Sequence, residues 1–202
     1  PETPGHGHQD AGGFELHFHD LPVFVDPGRG AYGEDGDAAF YRSAGAHNTL
    51  TVSGADPYPA NKPYYDNAFR EAVAGGAPEL TGGGDEVVLS HRGFGRIKGV
   101  GELRRQWRFI KNTLVLSDGL TGEGRHRISR RFVTPLEAEA GSGGVVLRND
   151  GKTFHLYSPD ATAVVKETTL WHAYGQGRAG FAIEFTVEAP LPWSGEVRLE
   201  VL

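Results

Sequence analysis

The chain has 202 residues, a formal net charge of −6 and a pI of about 5.8. Its 38% hydrophobic and 23% charged content reads as a folded domain rather than a disordered one. The acidic balance speaks against a general nucleic-acid binder, and no apolar run approaches the roughly 20 residues that a membrane-spanning helix needs. Cys and Met are both absent, so disulfides, thiolate metal sites and a Cys nucleophile are excluded.

The opening PETPGHGHQD has the pattern of neither a signal nor a transit peptide. With no initiator Met, we expect a part of a longer protein whose upstream portion is missing. His6, His8 and Asp10 of this stretch come before any strand begins. GFELHFHDLPVFVDPG reads as a hairpin. Phe14, Leu16 and Phe18 alternate with Glu15, His17 and His19, Asp20-Leu21-Pro22 turns the chain, and Val23-Phe24-Val25 returns. Residues 36–47 give a weak helical signal, and NTLTVSG is a strand ending at Ser53-Gly54. The stretch 55–85, rich in Gly, Pro, Asn and Tyr, reads as long loops.

Further strands follow in EVVLSHRGF, LRRQWRFIKNTLVLSDGL, RHRISRRFVTP, GGVVLRNDGKTFHLYSP, TAVVKETTLWHAYGQ, AGFAIEFTVEAP and GEVRLEVL. Asn149-Asp150-Gly151 is a strong two-residue hairpin turn. The 30 Gly and 12 Pro fall between these runs, as β-protein punctuation does. The expected architecture is one all-β domain over residues 1–202: a large, supersandwich-like antiparallel β-sandwich with few or no long helices.

Three segments place metal-competent side chains at strand ends: GHGHQD, Asp26 in FVDPG, and His47 in AHNTLTV. Two imidazoles and a carboxylate, with water as fourth ligand, suit zinc. With nine His in the chain, some are incidental. His17 and His19 form a rival His-x-His pair on one strand face, and they also read simply as half-exposed strand residues.

Arg104, Arg105, Arg108 and Lys111 surround Trp107. They fit sulfate or carboxylate recognition, or an outward sheet face with Trp107 turned in. Strand alternation favours the second. GQGRAG at 175–180 matches G-x-G-x-x-G, but it precedes a strand and lacks the helix N-terminus that a phosphate cradle needs. Glu34, Asp35 and Asp37 read as a solvated loop, with calcium as the weaker reading.

HGHQDAGGFELHFHDLPVFVDPG followed by AFYRSAGAHNTLTVSG resembles the heparinase II/III-like domain. That domain is the C-terminal β-sandwich of polysaccharide lyases acting on heparan sulfate, heparin and alginate. The shared pattern is His-Gly-His-x-Asp, a strand pair, Asp-Pro-Gly, an Arg-Ser step and Ala-His-Asn-Thr. The run from HRGFGRIKG to RRFVTP, and WHAYGQ, match in style over the rest.

The resemblance implies that His8, Asp26 and His47 are zinc ligands, that the zinc is structural, and that His6 faces the substrate cleft. It implies that Tyr32 is a catalytic acid. Tyr41 is the second candidate, with packing beside Phe40 as its simpler role. The implied reaction is β-elimination at a uronic acid of an acidic polysaccharide such as heparan sulfate, alginate or an exopolysaccharide. The implied partner is an N-terminal α/α-toroid domain that carries the rest of the active site, and the implied setting is bacterial, periplasmic or secreted. The alternatives are a non-catalytic sandwich that binds acidic glycans or docks a domain and, more weakly, a metal-dependent hydrolase.

Overall fold

The computed structural model describes residues 7–59, 76–149 and 151–202. A short hairpin comes first, β1 (Leu16–Phe18) and β2 (Leu21–Phe24), followed by helix α1 (Gly36–Phe40), a 3-10 turn at Ala44–Ala46 and β3 (Leu50–Val52). The remaining strands are β4 (Glu79–Gly83), β5 (Glu86–His91), β6 (Val100–Ile110), β7 (Thr113–Gly122), β8 (Arg125–Thr134), β9 (Glu137–Gly141), β10 (Gly144–Asn149), β11 (Lys152–Tyr157), β12 (Ala163–Ala173), β13 (Gln176–Pro190) and β14 (Trp193–Val201).

Eight strands form one sheet in the order β4-β5-β6-β7-β14-β11-β10-β9, and four form a second in the order β12-β13-β8-β3. Every pairing among the described strands is antiparallel. The expected sandwich is what the chain forms. Asn149 pairs with Lys152, and Gly151 takes φ 81°.

Period-2 alternation builds the core. On β8, Ile128 and Phe132 point inward, while Arg127 and Ser129 face out. The main core joins Trp107, Leu116, Leu147, Phe154 and Leu199 of the large sheet to Phe132, Ile183 and Phe185 of the small one. The β1–β2 hairpin caps this core. Phe14, just before β1, packs edge-on against both Trp107 and Phe132 at 5.7 and 6.4 Å, and Phe18 against Phe154 at 5.6 Å. The loop it anchors is therefore held by both sheets.

Three expectations need correction. Residues 55–85 are not all loop, because Glu79–Gly83 pairs with β5 as an exposed edge strand. Its Gly-rich, polar sequence hides a strand that depends on backbone pairing rather than on an apolar face. The weak helical signal at 36–47 resolves into one turn of α-helix and a 3-10 turn.

The third correction concerns the basic stretch. Arg104 and Arg108 are exposed, and Trp107 turns inward as expected, but Arg105 shares the parity of Trp107 and is 1% exposed. It pairs side-on with Asp118 across the β6–β7 ladder at 2.7 and 3.1 Å. Its remaining nitrogen reaches the carbonyls of Gly12 and Asn48 at 3.3 and 3.4 Å. A buried guanidinium is tolerated only when its donors are matched in this way.

Asp118→Ala leaves that charge uncompensated and is expected to destabilise the chain by about 3–5 kcal/mol, measured as a fall in urea midpoint. The Arg105→Met, Asp118→Leu double variant removes both charges and should recover most of that loss. A pH effect follows from His91, which is buried (4% exposed). Burial, with the Arg105 charge adding to it, pushes its pKa from 6.5 down to about 4. The unfolded chain therefore takes up this proton first. The stability is fully present above pH 6.5 and is lost as pH falls towards 4, by on the order of 3 kcal/mol. His91→Gln should flatten this part of a stability-versus-pH curve.

Candidate functional site

The site is assembled where β2 ends, where β3 begins and where the N-terminal loop crosses between them. Asn48, buried at the start of β3, holds the three together. Its amide nitrogen donates to the carbonyls of Phe14 (2.7 Å) and Val25 (2.9 Å), and its Oδ1 accepts from Val133 N–H (2.6 Å). Thr49 Oγ1 donates to the Ala11 carbonyl at 2.9 Å. Each bond satisfies a backbone group that would otherwise be buried unpaired. Together they fix the loop bearing His8 and Asp10, the strand end bearing Asp26, and His47 itself.

His8, Asp10, Asp26 and His47 each present one donor atom, and these atoms all lie within 4.8 Å of one another. His47 Nδ1 is 3.0 Å from Asp26 Oδ2 and 3.8 Å from Asp10 Oδ2, and His8 Nδ1 is 3.9 Å from Asp26 Oδ2. A tetrahedral ion with metal–nitrogen bonds of about 2.0–2.1 Å has donor–donor edges of roughly 3.3 Å. The spacing brackets that figure.

The second nitrogen of His47 sharpens the point. Nε2 lies 2.9 Å from the Tyr41 carbonyl, an acceptor only, so Nε2 carries a proton. In the neutral ring Nδ1 is then a lone pair. It faces a carboxylate oxygen, and two electron pairs at that distance require a proton or a cation between them. A His whose far N–H is fixed on a carbonyl is the arrangement found behind metal ligands.

The electrostatics agree. Burial, and then the neighbouring His47, hold the His8 pKa below the ordinary imidazole value, keeping a free lone pair. Burial alone would raise the Asp26 carboxyl. The hydrogen bond and charge of His47, with Gly28 N–H donating to Oδ1 at 2.6 Å, outweigh it and hold Asp26 below the usual carboxylate range. Burial would lower His47, but its Asp26 partner and the Asp10 charge raise it overall. The donor set of two imidazoles and two carboxylates fits a divalent ion.

Beside this cluster is a pocket of about 350 Å³, lined by His8, Arg29, Tyr32, Trp171, His172 and Tyr174 among others. The Asp-Pro-Gly turn runs along the end of β12. Trp171 N–H donates to the Pro27 carbonyl at 2.7 Å and Gly175 N–H to the Gly30 carbonyl at 3.0 Å. Gly28 takes φ 65°, and a Cβ there would sit 2.1 Å from the Trp171 carbonyl oxygen; at Gly30 it would sit 2.6 Å from the indole. Glycine is required at both positions.

The structure brings His8, Asp26 and His47 together and sets Tyr32 in the adjoining pocket. Tyr41 is buried, with its carbonyl under His47. His6 lies outside the described residues. His17 and His19 are exposed, with His19 in the hairpin turn against Phe18 rather than on the strand, so the rival pair does not converge. Glu34 pairs with Arg42 at 2.8 Å. Glu34, Asp35 and Asp37 form no metal-type cluster among the described residues.

Asp10 joins the cluster without an assigned role at the sequence level, although it stands inside His-Gly-His-x-Asp. It also left Trp171, His172 and Tyr174 of WHAYGQ without a role. Only the Asp10 spacing gave a signal, because the other three reach the site from more than a hundred residues away.

A family model for the heparinase II/III-like C-terminal domain matches residues 1–194. No curated protein sequence matches the chain significantly. Among solved structures, heparan sulfate lyase HepC from Pedobacter heparinus is similar, with a TM-score of 0.73 at 16% identity, over 97% of this chain and 31% of that one. The heparinase III BT4657 gene product gives 0.70 at 15% identity, over 96% and 30%. A further heparinase III structure gives 0.71 at 17%, over 96% and 30%. The chain thus spans under a third of the length of these structures.

Calorimetric titration with Zn²⁺ is expected to show one ion bound and a raised melting temperature. His47→Ala should abolish both effects. Asp10→Asn should weaken binding about 10–100-fold while leaving the fold intact.

Proposed function

This chain belongs to the heparinase II/III-like C-terminal family, and from that premise we propose that it is the C-terminal domain of a polysaccharide lyase that cleaves a uronic-acid-containing polymer by β-elimination. Heparan sulfate or heparin, alginate and exopolysaccharide are the substrate classes that fit. The observation that carries the reading is that His8 is shared by the donor cluster and by a pocket that also holds Tyr32. His8 thus links the four-residue donor cluster to the wall of a pocket containing the residue expected to act as acid.

In the proposed reaction a base takes the proton from C5 of the uronate. The electron pair forms the C4–C5 double bond, the C4–O4 bond breaks, and an acid protonates O4. The C5 proton becomes acidic enough only when the neighbouring carboxylate is neutralised by donors. In this proposal those donors and a second catalytic group come from an upstream α/α-toroid domain, and this chain supplies His6 and Tyr32 to proton transfer. Zinc at His8, Asp26, His47 and Asp10 ties the His6-bearing loop to the sandwich. Four protein donors suit a closed structural shell, whereas a hydrolytic metal keeps an open position. The parent protein is proposed to work in the periplasm or outside the cell, where such polymers lie.

The test joins this chain to its upstream domain and follows unsaturated-uronate absorbance on heparan sulfate, alginate and a bacterial exopolysaccharide. The expected outcome is product on one of these. Loss on His6→Ala or Tyr32→Phe should be about 10²-fold or more in kcat, with the zinc content unchanged. No product from the intact parent on any uronate polymer would instead favour a glycan-binding or docking module.

A further inference from the structure

Two large aromatic rings lie exposed side by side on this face. Tyr32 is 57% exposed and Tyr174 62% exposed, and their centroids are 5.2 Å apart with planes tilted by 33°. The Arg29 guanidinium stands 5.0 Å over the Tyr32 ring. Trp171, His172 and His8 line the same pocket. Its volume of about 350 Å³ is at the low end of the range for ligand clefts, about 300–1,000 Å³, which suits a single sugar unit rather than a long chain.

The pocket is held in shape before any ligand arrives. Tyr32 N–H donates to the Tyr174 hydroxyl oxygen at 3.0 Å, across 142 residues of sequence. The turn beneath is fastened to β12 by the two main-chain bonds and the two close-packed glycines already described. The Tyr174 hydroxyl accepts in that bond, so its own proton remains to donate. Exposed aromatic faces offer C–H and π contact to the flat side of a pyranose, a guanidinium offers charge-assisted donors to its carboxylate, and an imidazole offers a further N–H. Little ordering is left to be done on binding.

We propose that this pocket is a subsite for one uronate ring of an acidic glycan, with the exposed Tyr174 ring as the aromatic platform and Arg29 and His172 as carboxylate contacts. Tyr174 is also a positioning residue for Tyr32, through the hydrogen bond to its backbone. The proposal rests on the lyase reading for the kind of sugar, and on the pocket alone for the residues.

The test titrates this chain with a heparan sulfate tetrasaccharide, an alginate tetrasaccharide and a neutral glucan tetrasaccharide, reading tryptophan fluorescence and heat. At least one acidic probe should bind and the neutral one should not. Tyr174→Ala should weaken binding by about tenfold or more, and His172→Ala by a smaller factor. Tyr174→Phe, which keeps the ring and loses the hydroxyl, should stay within about threefold of the parent chain.

The subsite is overturned if the unaltered chain binds neither acidic probe, if the neutral glucan binds equally well, or if Tyr174→Ala and His172→Ala melt normally and bind as the parent chain does. The two readings separate cleanly. Tyr174-dependent binding without elimination by the intact parent sinks the lyase and keeps the subsite. Elimination with binding indifferent to Tyr174 and His172 does the reverse.

Discussion

The 3.0 Å approach of His47 Nδ1 to Asp26 Oδ2 is the contact around which the strand ends are arranged. With Nε2–H committed to the Tyr41 carbonyl, the facing nitrogen is an electron pair aimed at another electron pair. Nothing in an all-β scaffold favours that contact by itself. It persists because positive charge between the two groups turns repulsion into attraction, and because the backbone on either side is fixed too firmly to let them part. His8 and Asp10 surround the same point, adding donors where one proton would need only one partner.

The firmness comes from polar staples laid over a dry core. Asn48 joins three backbone segments, Thr49 holds the first of them again at Ala11, and Arg105 reaches from the large sheet to the loop carrying Asp10. Phe14 sits beneath, edge-on to aromatic rings of both sheets. A surface loop rich in glycine would ordinarily sample many conformations. Here the cost of ordering it is met by burial on one side and matched hydrogen bonds on the other.

The sandwich was legible in the sequence because its signal is local. Alternating apolar residues, Gly and Pro punctuation and an Asn-Asp-Gly turn each report on a few neighbouring positions. Glu79–Gly83 was not legible, since an exposed edge strand needs no apolar face to pair. Arg105 was grouped with outward arginines because residue type suggested exposure, whereas its parity with Trp107 pointed inward. At the site, strand-end placement and family pattern point to His8, Asp26 and His47, whose donor atoms lie together. They do not point to Trp171, His172 and Tyr174, because no spacing rule connects β12 to a turn some 140 residues earlier.

His8 belongs to both the donor cluster and the pocket wall, and this divides the pocket into two unequal halves. One half is bound by the His47–Asp26 contact and by glycines that admit no side chain, so it has little freedom to diverge. The other half, His172 to Tyr174 at an exposed strand end, carries no such obligation. Sequence change in this pocket would therefore be written on the β12 side, leaving the His8 side as the inherited frame.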